Sequence, residues 1–200
     1  MVYYSGGATA VGLVYSTGAV LAADRRVTYG PYIMSRAVKK VAKITDRIGI
    51  ACAGFPSDFQ KLLQYFKFNF TLYEQEAGIP LSVYGSAKLL STLMYSRRLV
   101  PFLTELIVAG VDEGGVPKLY SLDAVGSVLE DKYAAIGTGT ELALAVLEKG
   151  FRENMSREEA IRLAEDAMRV AIARDVLSGD GIDFLILDEK AAEEKFIKLR

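Results

Sequence analysis

Histidine and tryptophan are both absent from the 200 residues, and there is a single cysteine, Cys52. Without histidine, no serine or cysteine nucleophile can be served by an imidazole base within the chain. The histidine-containing zinc signatures are excluded, and a lone thiol cannot supply the thiolate ones, so no metal and no cofactor is expected. Acid–base chemistry falls to lysine, carboxylates, tyrosine or a free amino terminus. One cysteine forbids an intrachain disulfide and fits a reducing cytoplasm. An excess of either charge is also missing: 24 basic against 25 acidic residues leave a net charge of −1. Neither nucleic acid nor an anionic membrane is therefore expected as the main partner. No apolar run approaches the roughly 18 to 20 residues that span a bilayer. The opening segment, Met1 to Ala8, lacks the positive region and apolar stretch of a secretory signal.

What is present describes an ordinary globular chain, 51% apolar and 24% charged, of a length that suits one domain. Its mean hydropathy of +0.21 is on the high side. That points to surface buried elsewhere, against other subunits.

Alternation over Thr9 to Tyr15, a turn at Ser16-Thr17-Gly18, and Ala19 to Asp24 predict two strands in a tight hairpin. Val38 to Thr45 and Arg47 to Ala53 predict a second pair. Ser57 to Gln60 has the form of a capping box. Phe59, Leu62, Leu63, Phe66, Phe70 and Tyr73 then mark one face of a helix ending near Gly78. Val83, Ala87, Leu90 and Met94 predict a second helix. Strands are expected at Glu105–Val111, Lys118–Leu122 and Ser127–Asp131, with a short run into Gly137. Glu141 to Phe151 is a third helix. Ser156 to Glu159 is a capping box opening a fourth, whose face carries Ala160, Leu163, Ala164, Ala167 and Ala171. Gly181 to Leu187 closes the chain as a strand, followed by a charged tail. Helix pairs between blocks of strands do not suit a doubly wound sheet. They suit an α+β fold of four layers, αββα, with two stacked antiparallel sheets between helix pairs.

Three clusters carry chemistry-bearing residues. The first joins Ala8-Thr9-Ala10-Val11-Gly12 to Ala22-Ala23-Asp24-Arg25-Arg26-Val27-Thr28. The second runs from Lys39-Lys40 to Ala51-Cys52-Ala53-Gly54-x-x-x-Asp58. The third is Gly137-Thr138-Gly139 with Arg174-Asp175-x-x-Ser178-Gly-Asp-Gly-Ile-Asp183. Each taken singly reads as a turn or a solvated strand end. A phosphate cradle at Gly137 to Thr140 is disfavoured, since no Gly-Lys-Ser/Thr follows.

In order and spacing, the three together resemble β-type subunits of the archaeal 20S proteasome, from Ala8 to about Asp183. The resemblance implies an N-terminal nucleophile hydrolase sandwich acting as a threonine-type protease. A short propeptide, residues 1–7 here, would precede a single domain over 8–200. In that family a threonine freed by self-cleavage attacks the scissile carbonyl, its own amine accepting the proton. The supporting residues then match Asp24, Lys40, Asp175 and Ser178, with Gly54 as oxyanion donor. Thr138 takes a place usually held by serine. Thr28 matches the position whose backbone meets the substrate chain, and Cys52 the base of the primary specificity pocket, though a small buried thiol describes it as well.

The junction departs from the family pattern. Spacing to Gly12, Asp24, Lys40 and Gly54 puts Ala8 where the nucleophilic threonine belongs, and alanine has no hydroxyl. Successive side chains of a strand point to opposite faces, so Thr9 is expected to aim away from the face Ala8 uses. A bulge could re-aim it. Three readings follow. The preferred one is a β-type subunit with an inactive site. It would sit in a ring with a second, catalytic β-type subunit, stacked on α-type subunits, and act on unfolded polypeptides through the assembled core. The second is an active endopeptidase using Thr9, and the third a binding module that never joins a particle.

Overall fold

The computed structural model describes residues 7–199. Six strands open the chain: β1 (Thr9–Tyr15), β2 (Gly18–Asp24), β3 (Val27–Tyr29), β4 (Tyr32–Ser35), β5 (Val41–Lys43) and β6 (Ile48–Gly54). Two helices follow, α1 (Pro56–Ala77) and α2 (Val83–Tyr95), then β7 (Thr104–Val111), β8 (Pro117–Leu122), β9 (Leu129–Glu130) and β10 (Tyr133–Gly137). The chain ends with α3 (Thr140–Gly150), α4 (Arg157–Arg174), β11 (Ile182–Asp188) and β12 (Ala192–Ile197).

Two five-stranded antiparallel sheets result, one in the order β10-β1-β2-β11-β12 and the other β5-β6-β7-β8-β9. Strand parity sorts the apolar residues into three layers. Val11, Leu13, Val20, Ala22 and Phe184 face α3 and α4, meeting Leu147, Ala164 and Ala167. Ala8, Ala10, Leu21, Ala51, Ala53, Ile107 and Leu185 fill the space between the sheets. Ile50, Cys52, Leu106 and Val108 face the other helix pair, meeting Phe59, Leu62, Phe66 and Leu90. This is the four-layer αββα sandwich the element order implies. Because β1, β2, β6 and β7 are covered on both faces, their runs are almost continuously apolar rather than alternating.

The helix stripes fall where the spacing puts them. All five expected α4 positions are buried, as are Val83, Ala87, Leu90 and Met94 of α2. Leu142, Leu144, Val146, Leu89 and Leu93 are half-buried, so the broad apolar girth of α2 and α3 is covered in part within the chain. Ser156 caps α4 in a full capping box with Glu159. Loss of that cap in Ser156→Ala should cost about 1 kcal/mol, read from chemical denaturation midpoints.

Several local expectations are corrected. The Ser57 capping box does not form, because α1 starts on Pro56 and its N-cap is Phe55, two residues before Ser57, without a side-chain bond. Proline at the first helical position needs no N–H partner, which moves the boundary. The strand expected over Val38–Thr45 shrinks to Val41–Lys43, and that over Ser127–Asp131 to Leu129–Glu130. The hairpin β3–β4 adds to the expected elements; it is short and largely exposed. The charged tail is also a strand, β12, paired along its length with β11. Its Glu193, Glu194 and Lys195 face solvent on an edge, where pairing leaves no apolar period to read. Among the described residues no helix is long and apolar enough to cross a membrane.

Candidate functional site

The residues of the three clusters converge at the start of β1. Asp24, the last residue of β2, is wholly buried and accepts four hydrogen bonds. Its Oδ1 takes the Thr9 N–H at 3.0 Å and the Lys40 ammonium at 2.7 Å; its Oδ2 takes the N–H groups of Arg26 at 2.8 Å and Gly179 at 2.9 Å. Burial pushes this carboxyl above the usual carboxylate range, against the opposing pull of Lys40 and of the Gly179 and Thr9 amides. Lys40 is 2% exposed and gives a second bond to the Arg26 carbonyl at 2.6 Å. Since Lys40 Nζ and Thr9 N share one oxygen, the ammonium lies beside the Ala8–Thr9 peptide.

Residue 8 itself offers no chemistry. The Ala8 side chain is buried in the layer between the sheets, with Ala10 and Ala53. Thr9 is also wholly buried, but its Oγ1 is 2.8 Å from Ser178 Oγ. Val11 and Leu13, of the same parity as Thr9, face the α3–α4 layer. Pairing of β1 with β2 is in register from Ala10↔Ala23 to Tyr15↔Gly18, and with β10 from Thr9↔Gly137 to Leu13↔Tyr133. No bulge is present there to turn Thr9 over.

A chain of hydroxyls and one carboxylate continues from Thr9. Ser178 Oγ donates to Asp175 Oδ2 at 2.6 Å, and the same oxygen accepts Thr138 Oγ1 at 2.5 Å. The Thr138 N–H returns to the Ala8 carbonyl at 2.8 Å. Gly139 lies against Thr9, where a side chain would collide with the Thr9 hydroxyl. The loop after α4 is locked from outside by ion pairs of Asp180 with Arg26 and Arg36. Arg26 also reaches the Val176 carbonyl.

Gly54 ends β6 with φ +135°, a conformation that favours glycine, and a Cβ there would strike the Leu103 carbonyl and Thr104 Cα. Thr28 sits on β3 beside a bulge, and its hydroxyl is buried without a hydrogen-bond partner among the described residues. Cys52 is 3% exposed in the layer facing α1 and α2, where burial pushes its thiol far up from the ordinary value. Thus Thr9, Asp24, Lys40, Ser178, Asp175 and Thr138 form one connected network. Gly54 joins its rim through Ala53, which packs with Ala8. Of residues 1–7, only Gly7 lies within the described part.

Sequence reasoning gave no role to two members of the site: Arg26, whose backbone and side chain tie Asp24 and Lys40 to the Asp180 loop, and Glu105, which accepts the Gly137 N–H at 2.8 Å. A signal for Glu105 existed. It precedes Ile107 and Ala109 on the inward parity of β7, where a carboxylate needs a partner.

Two sheets between helix pairs, with a lysine–aspartate pair held at the start of the first strand, define an N-terminal nucleophile hydrolase sandwich. A model of the proteasome subunit family matches residues 4–187. Curated relatives agree over nearly the whole chain. Proteasome subunit beta 2 of Korarchaeum cryptofilum is 47% identical over 197 residues, covering 96% of this chain and 98% of that protein. The beta 2 subunit of Pyrobaculum calidifontis is 45% identical over 194 residues, covering 97% and 95%. The beta 1 subunit of Ignicoccus hospitalis is 47% identical over 181 residues, covering 90% of each. The chain belongs to the proteasome beta-subunit family.

Proposed function

We propose that the chain is a structural β-type subunit of a 20S core particle that degrades unfolded polypeptides in the cytoplasm, and that its own site does not cut. Residues 8–200 form the β-type domain and residues 1–7 a leader that stays attached. The chain would share its ring with a second, catalytic β-type subunit and stack on α-type subunits. The observation that carries this is the methyl at residue 8, next to an otherwise complete Lys40–Asp24 pair. Self-cleavage needs a nucleophilic oxygen on the residue after the scissile bond, and Ala8 brings none. Thr9 does not replace it. Its oxygen belongs to the Ser178 bond on the other face of β1, and catalytic geometry misplaced by about 1 Å already costs about 100-fold.

Support for assembly comes from the surface. Leu99, Val100 and Val176 are 89%, 79% and 77% exposed, and Phe68 on α1 is 69% exposed. Large apolar side chains in such number fit a subunit that is covered by neighbours.

Intact mass spectrometry of the chain inside the assembled particle tests the reading, together with a threonine-directed covalent inhibitor. The expected result is an amino terminus that is whole or lacks only Met1, and no adduct. A chain beginning at Thr9 and carrying the inhibitor would make it a working endopeptidase. A monomer that ignores α-type rings at micromolar concentration would favour a free binding module.

A further inference from the structure

We propose that Glu105 is a positioning residue of this site: its carboxylate fixes the Gly137–Thr138–Gly139 turn and, through that turn, the backbone of residue 8. The consequence for cleavage rests on the reading above; the fixing of the turn does not.

The argument starts from the sheet edge. Among the described residues β10 is the outermost strand of the first sheet, with β1 on one side and no strand on the other. At its end the Thr138 N–H points toward β1 and meets the Ala8 carbonyl. Alternation turns the preceding N–H, that of Gly137, to the open side. A half-buried backbone donor there needs an acceptor. Glu105 Oε2 supplies it at 2.8 Å, reaching across from β7 of the other sheet. The bond therefore joins the two sheets at the end of the central layer where Ala8 and Ala53 meet.

The turn has little slack. Gly137 has φ +93°, and a Cβ on it would collide with the Ala8 carbonyl and with Ala53. Its next residue, Thr138, holds Ala8 on one side and Asp175 on the other. Four attachments thus define the turn: Glu105 on the second sheet, the Ala8 carbonyl just before β1, Asp175 after α4, and the Thr140 hydroxyl, which donates to the Gly137 carbonyl at 2.6 Å. Without Glu105, the two made by Thr138 and the Thr140 bond remain, all of them on the Thr138 side of the Gly137 Cα. The Ile136–Gly137 peptide then loses its tie to the second sheet, and the neighbouring Gly137–Thr138 peptide, which donates to the residue 8 carbonyl, loses a fixed base.

Two variants in the full chain separate positioning from bulk stability. Glu105→Gln keeps an acceptor oxygen, whereas Glu105→Leu keeps the volume and removes the acceptor. Amide hydrogen exchange, resolved over 133–139, should show the Gly137 N–H exchanging about tenfold faster or more in Glu105→Leu and near its original rate in Glu105→Gln. The same pair is then placed on Ala8→Thr, assembled with its partner subunits. There, Glu105→Leu should slow scission of the peptide bond that follows Gly7 by about tenfold or more, as expected of sub-ångström misplacement. Glu105→Gln should restore the rate, and melting temperatures should not order the variants the same way. Unchanged exchange in Glu105→Leu overturns the proposal, as does a scission rate that merely follows melting temperature. If Ala8→Thr never cuts itself, the missing oxygen is not the sole reason the site is silent, and the exchange measurement alone decides whether Glu105 fixes the turn.

Discussion

Ala8→Thr should convert the chain into one that cleaves its own backbone immediately after Gly7 on assembly. The mass of residues 1–7 would be lost and a free threonine amine exposed. The machinery it would join is already built. Lys40 is buried, bonded to Asp24 and set beside the residue 8 peptide. Thr138 holds the residue 8 carbonyl. Asp175 and Ser178 complete the network behind it. A threonine in place of Ala8 adds a hydroxyl and a methyl in the layer that Ala10 and Ala53 line. The gain should be all or none in the mass spectrum, and peptide hydrolysis by the variant should stop again when Lys40 is changed to Ala. A variant that assembles but stays uncut would mean that the site is defective beyond its missing oxygen.

Asp24→Ala should unfold or severely weaken the subunit whether or not its site cuts. The substitution strands the Lys40 ammonium at 2% exposure with only the Arg26 carbonyl. It also orphans the N–H groups of Thr9, Arg26 and Gly179. Removing one member of a buried pair costs about 3–5 kcal/mol. For a chain of this size that corresponds to a fall of about 10 °C or more in melting temperature. Lys40→Met should cost less, because Asp24 keeps its three backbone donors. The order of the two variants in a thermal melt is the informative result. Equal losses would mean that the carboxylate matters only through its lysine. No loss in either would mean that the pair has no structural role.

The sequence made most of the architecture legible because both helix pairs carry clear stripes and the inner strands are long and apolar. It hid the elements held by pairing rather than by burial. β12 shows three consecutive charged residues, and its backbone bonds to β11 leave no trace in composition. The β3–β4 hairpin and the two-residue β9 are too short and too exposed to generate a period. At the site, the resemblance to proteasome β-type subunits brought out Asp24, Lys40, Gly54, Asp175 and Ser178 as candidates, and the parity of β1 predicted where the Thr9 hydroxyl turns. Spacing could not supply the ties between distant segments. Arg26 bridges 154 residues to Asp180, and Glu105 bridges 32 residues to Gly137. Such bonds depend on how the layers stack, which no local pattern encodes.

The strict pairing of β1 with both neighbours has a genetic corollary. Cutting one residue later would free a threonine whose oxygen bonds Ser178 on the opposite face from Ala8, so on the proposed reading trimming does not awaken the site. Alanine and threonine codons, by contrast, differ at a single base. On the proposed reading, the silent and the cutting forms of the subunit are therefore one point mutation apart, at the codon of residue 8.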